Sequence, residues 1–105
     1  MQTGNDSDSH GCIGSAGYQW SQLLQDCIRV FELPLQLFNA TGSTLAGVAF
    51  SNDKAEVFTA NGDFILKKKS DSEYISETYH KFLNQTNGKW QFGDSSLNQV
   101  EYKEK

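Results

Sequence analysis

Residues 54–69 read KAEVFTANGDFILKKK, two β-prone runs on either side of the pair Asn61-Gly62. Asn-Gly is a strong hairpin signal, because the favoured two-residue turn needs positive φ at both central positions. Counting outward from that pair predicts Thr59 opposite Phe64, Phe58 opposite Ile65 and Val57 opposite Leu66. Glu56 then falls opposite Lys67, an ion pair at the open end of the hairpin. Apolar residues lie on both faces of this pairing. A flat sheet with one wet face does not account for that, whereas a sheet covered on both sides or curling toward a barrel does.

The same arithmetic around Asn87-Gly88 sets Leu83 against Phe92 and Gln85 against Trp90. Leu83, Trp90 and Phe92 share one face, with Tyr79 and Ile75 further along, while Lys89 and Gln91 point away. Upstream, Leu45 to Ser51 reads as a strand, followed by a two-residue turn at Asn52-Asp53. Residues 28–38 alternate in part, with Leu33, Leu35 and Leu37 on one side and Pro34 marking an edge or a bulge. Val100 and Tyr102 suggest a last strand. The expected fold is mainly β: an antiparallel meander of six or seven strands forming a curved sheet or small barrel, with one short N-terminal helix.

That helix is expected over residues 22–27, where Ser21 can cap it and Leu23, Leu24 and Cys27 fall on one face. It lies between Cys12 and Cys27, the only two cysteines of the chain. Two cysteines without metal-ligand spacing are most simply a disulfide, and the competing reading is a reduced, buried pair in a cytosolic protein. A bridge closing a loop of about 15 residues would stabilise by about 3 kcal/mol in the chain-entropy model. Inside the loop, Gly14-Ser15-Ala16-Gly17 is turn-prone, and Tyr18 and Trp20 share a side if the chain is extended. With Leu24 they make a structural lid, expected to seal one end of the β core.

The pattern Cys12, Ser15-Ala16-Gly17-Tyr18, Trp20, then Cys27-Ile28-Arg29 and Phe31-Glu32 resembles a motif of small exported bacterial proteins, many of them lipoproteins of uncharacterised function. Versions with more cysteines often carry one directly after the tryptophan, where this chain has Ser21, so the resemblance carries over one bridge. It implies an exported protein and names no activity.

Composition narrows the classes further. A chain of 105 residues makes one domain, divided here into a disordered polar tether, residues 1–10, and a β-rich domain, residues 11–105. The net charge is −4, and basic residues are sparse apart from Lys67-Lys68-Lys69, which argues against nucleic acid as a partner. No apolar run reaches the roughly 18 to 20 residues that span a bilayer. Met1, the only methionine, opens onto a polar run. It reads as a start added to a trimmed mature protein whose precursor carries an export signal, a lipoprotein signal with its lipid anchor being one form. The expected location is the periplasm, the outer membrane or the medium.

Catalytic chemistry finds little footing. Gly14-Ser15-Ala16-Gly17 superficially matches a nucleophile elbow, but Ile13 occupies the place of that pattern's first glycine. His10 sits in the polar tail and His80 faces away from Tyr79 and Leu83, so both read as solvated. Asp53, Asp63, Asp71 and Asp94 sit at expected turns, where local hydrogen bonding favours aspartate. No metal or cofactor is implied. The lysine run reads as protection of a sheet edge.

Two functions remain. The first is a non-enzymatic binding or inhibitory module for an envelope or extracellular macromolecule. Its size, acidic charge and single bridge are also those of the small β-barrel inhibitors that bacteria use against lysozyme, whose inhibitory loop motif is absent here. The second is a small-ligand carrier or enzyme whose pocket is formed by Tyr18, Trp20, Tyr79 and Trp90. An open cavity lined by those rings favours the second; rings packed solid favour the first.

Overall fold

The computed structural model describes residues 9–105, so residues 1–8, most of the expected tether, lie outside the described residues. Ten strands follow in chain order: β1 (Tyr18–Ser21), β2 (Asp26–Arg29), β3 (Leu35–Phe38), β4 (Leu45–Ser51), β5 (Lys54–Thr59), β6 (Gly62–Ser70), β7 (Glu73–Ser76), β8 (Lys81–Thr86), β9 (Lys89–Asp94) and β10 (Gln99–Lys103). Strands β3 to β10 form a closed antiparallel barrel in sequence order, and β10 returns to β3 through the pair Lys103 and Phe38. β1 and β2 make a separate hairpin.

The barrel closes because its strands alternate. Leu35, Leu37, Ala46, Val48, Ala55, Val57, Leu66, Leu83 and Phe92 are buried at every second position and meet in one core with Tyr74 and Tyr102. The meander reading holds, but eight strands line the barrel rather than six or seven. The run 28–38 is not one strand: it breaks at the 3-10 turn Val30–Glu32. Leu35 and Leu37 enter the barrel, while Leu33 packs outside it with Ala49 and Phe58.

The hairpin at Asn87-Gly88 has the expected register, Leu83 opposite Phe92 and Gln85 opposite Trp90, with φ of 54° and 82° at the two turn residues. The hairpin at Asn61-Gly62 does not. Thr59 pairs with Gly62, and Ala60-Asn61 forms the loop. The Thr59 hydroxyl donates to the Gly62 carbonyl (2.8 Å) and accepts from the Asn61 amide (3.1 Å), and the two-residue turn sits one position earlier than expected, which slips the register by two. A shift of two preserves the face of every side chain, so Val57 and Leu66 remain inside. It moves Glu56 opposite Ile65 and Lys67 opposite Lys54, and the expected Glu56–Lys67 ion pair is replaced.

One face is reversed. Ile75, expected beside Leu83, pairs with Phe82 on the outer surface, and Tyr74 takes the inward place opposite Leu83. A turn over residues 77–80 breaks the run from Ile75 to Leu83 in two, and the antiparallel register it sets, Ser76 against Lys81, decides which residue of β7 faces Leu83. The lysine run guards no edge, since β6 is paired on both sides.

The helix expected over residues 22–27 is absent. Ser21 does cap, its Oγ accepting from the Leu24 amide (3.0 Å), but what it caps is a turn closed by Gln25 N–H to Ser21 O (2.9 Å). Gln25 adopts φ 55° and reverses the chain, which brings Cys27 opposite Trp20. Six residues are too few to hold a helix against four cross-strand pairs. The stapled hairpin does not seal a barrel end either. It lies along the outer wall, where Ile28, Val30 and Leu33 cover Ala49 and Phe58. Gly47 allows the approach: a Cβ there would stand 2.7 Å from the Val30 carbonyl oxygen.

Candidate interaction surface

Three residues of the Cys-aromatic-Cys motif, Tyr18, Phe31 and Glu32, converge on Arg29. Cys12 and Cys27 are disulfide-bonded. Arg29 pairs across the hairpin with Tyr18 and lays its guanidinium 4.3 Å from that ring's centre, with Phe31 at 5.9 Å and the Glu32 carboxylate at 3.3 Å. Trp20 stacks on His10 at 4.0 Å between ring centres, so His10 is not simply solvated. Of the expected lid residues, Leu24 is exposed, while Ser21, next to Trp20 and not among them, is fully buried.

Ser21 meets Glu56, also fully buried, on the outer face of β5. The carboxylate accepts from Ser21 Oγ (2.6 Å), the Leu23 amide (3.2 Å) and the Gln22 amide (3.3 Å). Burial, and then the Asp63 carboxyl beside it, push the Glu56 carboxyl up to about 6 against the pull of those three donors. Two carboxyls side by side, one of them raised, are the raw material of acid–base catalysis. The hairpin is seated on Glu56, which has no accessible surface from which a substrate could be reached, while Asp63 is exposed.

Inside the barrel the middle is filled. Leu37, Val48, Val57, Leu66, Leu83 and Phe92 have no accessible surface. Toward the end where Ser76 pairs with Lys81, the Lys81 ammonium lies 3.3 Å from both Asp94 and Glu101 and 5.1 Å from the Phe64 ring centre. The Ser96 hydroxyl does most to hold the Asp94 carboxyl down, to about 2, with burial opposing and Leu97 N–H, Lys81 and Ser96 N–H adding. At the other end Phe50, Tyr74 and Trp90 cluster with ring centres 5.5 to 6.0 Å apart.

The four aromatics considered as pocket walls are therefore dispersed. Tyr18 and Trp20 belong to the outer hairpin, Tyr79 packs edge-on against Phe64 at the Lys81 end, and Trp90 sits at the opposite end. No cavity brings them together among the described residues. No group of three His, Cys, Asp or Glu there could hold a metal ion, and no helix there is long and apolar enough to cross a membrane.

What sequence reasoning missed is a groove of about 660 Å³ on the outer face of β7 to β10. Ile75, Phe82 and Val100 give it apolar surface, and Glu73, Glu77, His80 and Lys81 bring its titratable groups. Phe82 settles over Gly93, where a Cβ would come within 2.6 Å of its ring. Asn84 and Gln91, opposite one another across β8 and β9, supply amides, and Asn84 Oδ1 is buried without a hydrogen-bond partner. The signal that could have found it was the apolar content of both faces of β7 and β8. Comparison of the chain with protein-family models, with curated proteins and with solved structures finds no match.

Proposed function

We propose that this domain is a non-enzymatic, exported binding module of the cell envelope that engages another macromolecule through its surface. The observation that carries the reading is the filled barrel. With six side chains of the interior fully buried and the aromatics shared out among separate clusters, the barrel interior offers a small ligand no chamber to enter. The disulfide is compatible with an oxidising compartment, and the motif around Arg29 resembles that of small exported proteins. A net charge of −4 suits a basic partner, as it does in the small acidic inhibitors of lysozyme.

The test is a cross-linked pull-down of the oxidised domain from bacterial envelope extract, paired with a thermal-shift screen of small metabolites. A saturable protein or polysaccharide partner with no small-molecule hit supports the reading. A metabolite that raises Tm in a saturable manner, with no macromolecule retained, overturns it.

A further inference from the structure

We propose that the groove on the outer face of β7 to β10 receives an arginine side chain, carried on an extended segment of the partner protein; this rests on the binding reading above. The floor and the rim ask for different things. Ile75, Phe82 and Val100 offer apolar surface to an aliphatic stem, and the Phe82 ring offers a face to a planar cation. Around them the carboxylates of Glu73 and Glu77 are acceptors. The one lysine in the lining, Lys81, is held by Asp94 and Glu101 and does not oppose an incoming positive charge.

A guanidinium matches this better than an ammonium, because its five donors lie in a plane and it sheds water more readily. Asn84 adds a second reason. Its Oδ1 is buried and unbonded, an arrangement that costs free energy until a donor arrives. Rotation of that amide toward a guanidinium would relieve it. The far flank sets a limit: Lys67, Lys68 and Lys69 adjoin Ile75 and Glu77 in a neighbouring concavity, so the guanidinium is placed away from them, by Glu73 and the Asn84 that pairs with it across β7 and β8. At about 660 Å³ the groove exceeds one side chain, which is why an extended segment is assigned to it.

The test is titration of the 15N-labelled, oxidised domain with hexa-arginine and hexa-lysine peptides, repeated on E73Q/E77Q and K67Q/K69Q. Shifts centred on the amides of Ile75, Phe82, Asn84 and Gln91 are expected, tighter for arginine. E73Q/E77Q should weaken binding about tenfold, the loss expected for charge-assisted contacts, and K67Q/K69Q should not weaken it. Shifts centred elsewhere, or equal binding by E73Q/E77Q, overturn the groove. An envelope partner retained equally by wild type and E73Q/E77Q overturns it too while leaving the binding reading intact. No peptide shift and no retained partner overturn both.

Discussion

Ser21 Oγ donates a 2.6 Å hydrogen bond to Glu56 Oε1 across 35 positions of sequence, and both residues are fully buried. This contact joins the stapled hairpin to the barrel wall. Ser21→Ala leaves a buried carboxylate short of one donor and also removes the cap of the Leu24 amide. A loss of about 1 to 3 kcal/mol is expected, read by denaturant titration. A change below about 0.5 kcal/mol would mean that the hairpin is held by apolar contact alone.

Glu56 makes stability depend on pH in an unusual direction. Its carboxyl is raised from 4.5 to about 6 in the fold, so the folded state holds a proton that the unfolded state has released. That stabilisation is complete below about 4.5 and disappears as pH rises through 6, a change of about 2 kcal/mol. Asp94 acts oppositely: its depressed carboxyl stabilises above its ordinary value of 3.8, and the effect is lost as pH falls toward 2. Tm should therefore climb between pH 7 and about 4.5 and decline at stronger acid. Glu56→Gln should flatten the upper limb; a wild-type slope in that variant would assign it to another group.

Reduction of Cys12–Cys27 should lower Tm by more than ~10 °C, given about 3 kcal/mol for a loop of this length in a domain of this size. An unchanged melting curve in reductant would remove the bridge from the account of stability and weaken the case for an oxidising compartment.

Gly47→Ala should destabilise by about 1 to 3 kcal/mol although alanine favours strands no less than glycine does, because the new methyl meets the Val30 carbonyl and the Leu33 side chain. The check is equilibrium unfolding, and a loss below about 0.5 kcal/mol would show that the docked turn moves aside at little cost.

Trp20 and Leu83 should separate cleanly. Trp20 is half-buried on His10, and its replacement by alanine should cost about 1 kcal/mol, whereas Leu83→Ala empties a fully buried site and should cost about 2 to 5 kcal/mol. Comparable losses would show that the stacked pair supports the core.

The alternation of Val57, Leu66, Leu83 and Phe92 was enough to reach a curved sheet or small barrel, because period-two burial is a local property of sequence, but not its closure or its eight strands. The register at Asn61 was not legible, since it turns on a threonine hydroxyl claiming the next carbonyl and amide. Nor was the reversal of Ile75, which follows from the turn over residues 77–80 that splits its run into β7 and β8. Glu56 read as a surface charge because its burial is made by a hairpin distant in sequence. The groove was illegible for the same reason: Glu73, Phe82, Gln91 and Val100 become neighbours only through strand pairing. The cysteine loop was legible as a staple and illegible as a wall, since spacing shows which residues join and not where the joined piece lies.

The pairing of β10 with β3 rests on Lys103 and Phe38 alone, while β8 and β9 share six pairs. The cylinder is thus a rolled strip with a narrow weld. Every other join links neighbours in sequence and can form as soon as its turn does, but the weld must wait for the whole strip to curl, the slow, entropically costly step. Unrolling should begin where rolling ends, so amide protons of β3 and β10 should exchange with solvent well before those of β8 and β9.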